Sequence, residues 1–189
     1  MTYQIRDPHV QTLAAIAATL SQNYIVGEDD PWQGSPFRWI LSLPSRAKGA
    51  VGEGLVAGWA AANGFDVVRS PDSEADRIIN GHRIEVKFST LWKNGGFKFQ
   101  QIRDQDYAFC LCLGISPFDA QAWLLSKEVL LERVIGTMGQ HTGSAGRDTA
   151  WLSIHASRPD EWLSDHGGRL HDVYTMIEDA GRGPSKGRD

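Results

Sequence analysis

Hydrophobic residues recur at helical spacing in the first third of the chain and at strand spacing after Gly64. Before that point three helices are predicted. Asp7-Pro8 is typical of a helix start, and the helix is expected to reach about Tyr24. A short helix follows Ser35-Pro36, and a longer one runs from Pro44-Ser45 to Asn63-Gly64, a pair suited to a left-handed cap.

The long helix is predicted to bury a stripe formed by Val51, Leu55, Trp59 and Ala62. Its other face carries Glu53 among small residues, which are Gly49, Ala57 and Ala60. Those small neighbours would leave the Glu53 carboxylate uncrowded.

Beyond Gly64 the pattern changes to strands. They are predicted at 65–69, 75–79, 82–88, 107–115, 122–125 and 151–154, with helices at 126–135, 159–162 and 170–179. No strand or helix is predicted between 88 and 107, and 136–149 is interpreted as a Gly-rich loop. This order predicts one α/β domain over residues 1–180, with a disordered polar tail at 181–189.

Composition is ordinary for a globular protein, with 41% apolar residues and a net charge of −4. The negative charge counts mildly against nucleic-acid binding, although a local basic groove can coexist with acidic residues around a metal. No apolar run is long enough to span a bilayer and the start lacks a secretory pattern, so a cytoplasmic location is expected. Cys110 and Cys112 are predicted to be buried, reduced thiols.

The residues with the most chemical information lie in a predicted hairpin between Ser70 and Lys87. Asn80-Gly81 is a strong signal for a two-residue turn, and it would pair Ile79 with His82. Continuing that register places Asp76 directly opposite Glu85, and Glu74 opposite Lys87. Glu85 and Lys87 share one face because side chains alternate along a strand.

Two opposed carboxylates destabilise a sheet unless a cation lies between them. Mg²⁺ is suited to such a position because it favours one or two carboxylates together with water and phosphate oxygens. Lys87 could then orient an attacking water or stabilise charge on a phosphate. The alternative is a surface hairpin whose charges simply face water.

The helix with Gly52-Glu53, the hairpin with Asp76 and the strand with Glu85-Val86-Lys87 together resemble the PD-(D/E)xK nuclease superfamily, which includes many type II restriction endonucleases. The resemblance covers about residues 45–125. It implies a restriction-endonuclease-like α/β fold, a mixed central β-sheet flanked by helices. It also implies a Mg²⁺-dependent endonuclease, with Mn²⁺ expected to substitute.

The resemblance implies a role for each residue of this set. Asp76 and Glu85 would bind the ion with the Val86 carbonyl, Lys87 would position the water, and Glu53 would support the site. The literal Pro-Asp of this sequence is Pro71-Asp72. The hairpin register favours Asp76 instead, which leaves Asp72 and Glu74 as flanking carboxylates, Glu74 as a candidate partner of Lys87.

Two further segments are candidates for DNA contact, because Arg, Lys, Gln and His donate hydrogen bonds to phosphates and base edges. They contribute Lys93, Lys98, Gln100, Gln101 and Arg103 after the catalytic strand, and His141 and Arg147 in the Gly-rich loop. A solvated connection and a flexible loop would explain the same residues. Trp92 is a candidate for stacking on a base or sugar, and no Cys or His spacing indicates zinc.

The sequence thus predicts a DNA endonuclease that makes site-specific double-strand cuts in restriction or phage defence. One active site per chain would call for a homodimer or for sequential nicking. A repair, junction-resolving or RNA nuclease on the same scaffold remains an alternative, as do a non-catalytic DNA-binding module and a structural protein with a charged hairpin.

Overall fold

The computed structural model describes residues 30–135 and 149–182. The predicted helix at 7–24 and the residues His141 and Arg147 lie outside the described residues. The α-helices are α1 (Ser45–Ala62), α2 (Lys127–Leu130) and α3 (Leu170–Arg182). Helix α2 continues as a π-helical turn (Leu131–Ile135), and 3₁₀ turns lie at Arg38–Ser42 and Glu161–His166. The strands are β1 (Val67–Arg69), β2 (Arg77–Ile79), β3 (His82–Thr90), β4 (Gly96–Arg103), β5 (Phe109–Ile115), β6 (Ala120–Ser126) and β7 (Thr149–His155).

The central sheet is mixed and has the strand order β1-β2-β3-β5-β6. Among the described strands, β3 and β5 pair in parallel and the other neighbours pair antiparallel. Strands β4 and β7 form a separate antiparallel ribbon. The expected fold class, a mixed α/β sheet flanked by helices, is confirmed.

The two faces of the central sheet bury different clusters. One face packs Ile84, Val86 and Leu111 against α1 and α3, which contribute Val56 and Ile177. The other face packs against the β4–β7 ribbon, α2 and the second 3₁₀ turn through a cluster that includes Cys110, Phe97, Leu152, Leu130 and Leu163. Cys110 and Cys112 are buried free thiols, as predicted.

Helix α1 buries a different face from the one predicted. Its buried residues are Gly52, Val56 and Ala60, whereas Val51, Leu55 and Trp59 are half-buried and Ala62 is exposed. The reason is a close approach to the sheet, since a Cβ at Gly52 would lie 2.3 Å from Phe88 Cβ. Small residues therefore define the contact, and Glu53, next to Gly52, is brought to the edge of the sheet.

Two other predictions are corrected. No strand is predicted between residues 88 and 107, but Gly96–Arg103 forms β4, with Phe97, Phe99 and Ile102 fully buried. The tail was predicted to begin at residue 181, but α3 continues to Arg182. Within the described ranges no helix is long and apolar enough to cross a membrane.

Candidate active site

The candidate site lies where β2 ends and β3 continues beside β5. The predicted hairpin register is confirmed from Ile79↔His82 to Arg77↔Ile84, and Asn80 and Gly81 have the positive φ that the tight turn requires. The paired segment ends at Arg77–Ile84, whereas β3 extends six residues further to Thr90.

Asp76 does not continue the ladder, so the expected position directly opposite Glu85 is wrong. Its amide donates to the Ile84 carbonyl at 3.1 Å, although Ile84 already pairs with Arg77. This extra residue turns the Asp76 side chain along the edge of β3, where Oδ2 accepts a hydrogen bond from the Val86 amide at 2.8 Å. The Asp76 carboxylate still lies close enough to Glu85 to raise the pKa of the Glu85 carboxyl group.

Glu85 and Lys87 face the same side of β3 and form an ion pair. Lys87 Nζ lies 2.7 Å from Glu85 Oε1, and the side chains are only 16% and 10% exposed. The expected pairing of Glu74 with Lys87 is wrong, because Glu74 Oε2 accepts instead from the Asp106 amide at 3.3 Å. With β2 ending at Arg77, Glu74 is not held beside β3.

Burial raises the pKa of Glu85 above its ordinary value. The Lys87 ammonium acts in the opposite direction and lowers that pKa, and the neighbouring Asp76 carboxylate raises it again. The fold thus holds a carboxylate in a position where its charge is only partly balanced.

Glu53 reaches the site from α1. Arg77 Nη1 lies 3.3 Å from Glu53 Oε2 and also donates to the Asp76 carbonyl at 2.7 Å, so it joins α1 to the hairpin. Burial raises the pKa of Glu53, and the Asp76 carboxylate adds to that effect, while the Arg77, Arg69 and Lys87 cations lower it. Asp76 therefore lies between two other carboxylates, Glu53 and Glu85, each of which is paired with a cation, Arg77 and Lys87 respectively.

Asp72, the acidic residue of the literal Pro-Asp, has a different environment. Its carboxylate binds Arg83 at 2.6 Å and caps the Glu74 amide at 3.0 Å. These hydrogen bonds, that with Arg83 first, lower the pKa of Asp72. Asp72 does not line the cleft described next, whereas Asp76 does.

A cleft of about 1490 Å³ connects these residues with most of the candidate DNA contacts. Its walls include Glu53, Asp76, Glu85, Val86, Lys87, Lys93, Lys98, Gln100 and Gln101. Arg103 is exposed but is not among the lining residues, and His141 and Arg147 lie outside the described ranges. Trp92 also lines the cleft, and Lys98 Nζ lies 4.2 Å from the centre of its ring.

Arg46 and Lys48 line the cleft as well, and the sequence interpretation missed them. Both lie in the first turn of α1, which contains no acidic residue. Cations there oppose the helix dipole, so a basic first turn is itself a signal that an anion binds nearby.

The donors available to a metal ion are oxygen atoms. Within 30–135 and 149–182, no three His, Cys, Asp or Glu side chains converge as a complete metal site. Asp76 and Glu85 supply two adjoining carboxylates. The Val86 carbonyl could serve as a third donor, because the amide and carbonyl of a strand residue point in the same direction and the Val86 amide meets Asp76 beyond the end of β2.

Comparisons with known proteins identify no family. No family model matches the sequence, and no curated protein matches it. The structure is similar to that of a bacterial homing endonuclease, I-Ssp6803I, with a TM-score of 0.48 and 13% sequence identity over 75% of this chain and 99% of that one. A likeness of that size carries no conclusion about activity.

Proposed function

We propose that this chain is a Mg²⁺-dependent DNA endonuclease that hydrolyses phosphodiester bonds in the cleft beside β3. The observation that carries the proposal is the geometry at β3: Asp76 Oδ2 lies 2.8 Å from the Val86 amide and Lys87 Nζ lies 2.7 Å from Glu85, and all four residues line a cleft that also contains Arg46, Lys48, Lys93 and Lys98. Neighbouring carboxylates destabilise a sheet unless cations balance them, and a divalent ion at this position would do so.

The residues present fit a hard divalent cation. Asp76, Glu85 and the Val86 carbonyl would hold it, which leaves the remaining positions for water and phosphate oxygens. Such an ion supplies a Lewis acid that lowers the pKa of a water molecule and offsets charge on the phosphate. Mn²⁺ accepts the same oxygen ligands and should replace Mg²⁺.

The side chains around the carboxylates have separate tasks in this proposal. Lys87 is a point charge that can donate a hydrogen bond to the attacking water or to a phosphate oxygen once it leaves Glu85. Arg77 holds Glu53 beside Asp76, so that Glu53 adds negative potential and a hydrogen-bond acceptor at the rear of the site. Phosphates along the cleft would be bound by four cations, Arg46, Lys48, Lys93 and Lys98. This local positive charge would allow a polyanion to bind although the chain has a net charge of −4.

The proposed biological role is site-specific double-strand cleavage in restriction or phage defence, by a homodimer with one active site in each chain. The competing roles use the same residues with another substrate: repair, junction resolution or RNA cleavage. A non-catalytic DNA-binding module is disfavoured, because binding phosphate does not require adjoining carboxylates.

A panel of substrates distinguishes these roles. Plasmid DNA, phage DNA with and without base modification, branched DNA and RNA are each incubated with the protein in Mg²⁺ and in EDTA. Discrete Mg²⁺-dependent fragments from linear duplex DNA are expected. A smear of fragments would support the nuclease activity but contradict site-specific restriction. Cleavage confined to branched DNA or to RNA would identify a different substrate. No cleavage of any substrate would overturn the proposal.

A further inference from the structure

The β4–β7 ribbon has two chemically different faces. Its inner face is fully apolar and buried, with Phe97, Phe99 and Ile102 on β4 opposite Ile154, Leu152 and Ala150 on β7. Its outer face is polar along β4 and consists of Lys98, Gln100, Gln101 and Arg103. The inner face accounts for folding and leaves the outer residues available to contact another molecule.

An irregularity in β4 produces the outer face. The pairing register shifts between Phe99 and Ile102, and Gln101 has a φ of 57°, in the left-handed region that non-glycine residues avoid. In a regular strand the residue after Gln100 would point inward. Because one residue is added here, Gln100 and Gln101 are both exposed and adjacent.

The same two residues face the candidate active site. Gln100, Gln101 and Lys98 line the cleft that contains Asp76 and Lys87. A direct link fixes the distance between the strands, since Ser89 Oγ accepts a hydrogen bond from the Lys98 amide at 3.0 Å. Ser89 is buried and lies on the same face of β3 as Glu85 and Lys87, so β4 is anchored to the catalytic strand two residues before the glutamine pair.

We propose that Gln100 and Gln101 form a base-reading pair, carried into the major groove of double-stranded DNA by the β4–β7 ribbon. This inference rests on the proposed function, and it identifies Gln100 and Gln101 as residues that determine which DNA sequence is bound. A two-stranded ribbon fits the B-DNA major groove, which is about 12 Å wide, whereas the RNA duplex has a deep and narrow one. A glutamine amide both donates and accepts, and it can form two hydrogen bonds with an adenine edge. Lys98 and Arg103 flank the pair as cations for the phosphates.

The test is a selection of bound sequences from a random duplex DNA pool, which does not depend on cleavage. The full-length chain is used in a D76N background, in Mg²⁺ buffer, so that bound DNA is retained. Gln100→Ala and Gln101→Gly are the reading variants. Glycine adopts a positive φ without strain, so Q101G removes the side chain and keeps the backbone irregularity. Gln33→Ala, an exposed glutamine outside the cleft, is the matched control, and thermal unfolding confirms that each variant folds.

The D76N protein and its Q33A control should enrich the same short motif. Q100A and Q101G should each lose about ten-fold or more of their preference at one or two positions of that motif. Lys98→Ala should instead weaken binding of all sequences to a similar extent. An unchanged motif in both glutamine variants would overturn the inference, as would the absence of any motif in the parent. Absence of cleavage by the wild-type chain, together with an altered motif in the glutamine variants, would overturn the nuclease and retain the reading pair.

Discussion

Asp76 satisfies the backbone of Val86, since its Oδ2 accepts the Val86 amide hydrogen at 2.8 Å where the neighbouring strand has ended. The Asp76 carboxylate thereby supplies the hydrogen bond that a neighbouring strand would otherwise supply, and it lies near Glu85, whose pKa it raises. A single extra residue, Asp76, lies opposite Ile84 beside Arg77 and ends the regular pairing of β2 with β3. Because of it, the Asp76 carboxylate lies along the edge of β3, on the side to which the Val86 amide and carbonyl point.

The carboxyl pair predicts a conflict between stability and activity. Asp76→Asn should abolish cleavage without lowering the free energy of unfolding in EDTA, because the amide oxygen can still accept from Val86 while the repulsion with Glu85 and Glu53 disappears. Urea unfolding and cleavage assays test this, with Glu161→Gln, an exposed carboxylate outside the cleft, as control. If D76N had a much lower free energy of unfolding than wild type, the negative charge of Asp76 would stabilise the fold and the prediction would be contradicted.

Glu85 predicts a pH dependence of stability. Because burial raises its pKa in the folded state above the ordinary 4.5, the folded protein binds more protons than the unfolded chain between those two values. Stability in EDTA should therefore decrease as the pH rises from about 4.5 through the folded-state pKa, and then level off. Glu85→Gln should remove that part of the decrease. Urea unfolding curves of wild type and E85Q measured across this pH range test the prediction. If the free energy of unfolding of the two proteins had the same pH dependence, Glu85 would not be the group responsible.

The hairpin turn, the approximate positions of six of the seven described strands and the buried thiols could be predicted from sequence because they depend on local patterns. Asn80-Gly81 fixed the register as far as Arg77. The alternation of Phe97, Lys98 and Phe99 was also a local signal, but the polar residues that follow it obscured β4. The burial of Gly52 depends on how α1 packs on β3, which no local pattern contains.

Gly52 is predicted to be essential for the position of Glu53. Alanine there would place Cβ 2.3 Å from Phe88 Cβ, so Gly52→Ala should lower the free energy of unfolding by about 1–3 kcal/mol and should reduce cleavage. Gly54→Ala is the matched control, since its Cβ would meet nothing within 4 Å and alanine favours the helix by about 1 kcal/mol. Chemical denaturation distinguishes them, and equal effects would contradict the close approach.

The basic first turn of α1 predicts a salt-dependent contribution to DNA binding. Arg46→Ala with Lys48→Ala should weaken binding to all sequences and reduce the slope of log K against log salt by about 1 for each cation that contacts a phosphate. Titrations at several salt concentrations measure the slope. Arg182→Ala, at the exposed end of α3, should leave it unchanged, and an unaltered slope in the double variant would exclude the first turn from the DNA path.

The central claim is that the carboxyl pair and Lys87 hydrolyse DNA with a divalent ion. Its most direct test is the rate of plasmid cleavage by wild type, Lys87→Ala and Arg182→Ala in Mg²⁺ and in EDTA. We expect cleavage by wild type and R182A in Mg²⁺ alone, with a loss on the order of 10²-fold or more in K87A. Cleavage that persists in EDTA, or that K87A retains in full, would contradict the account.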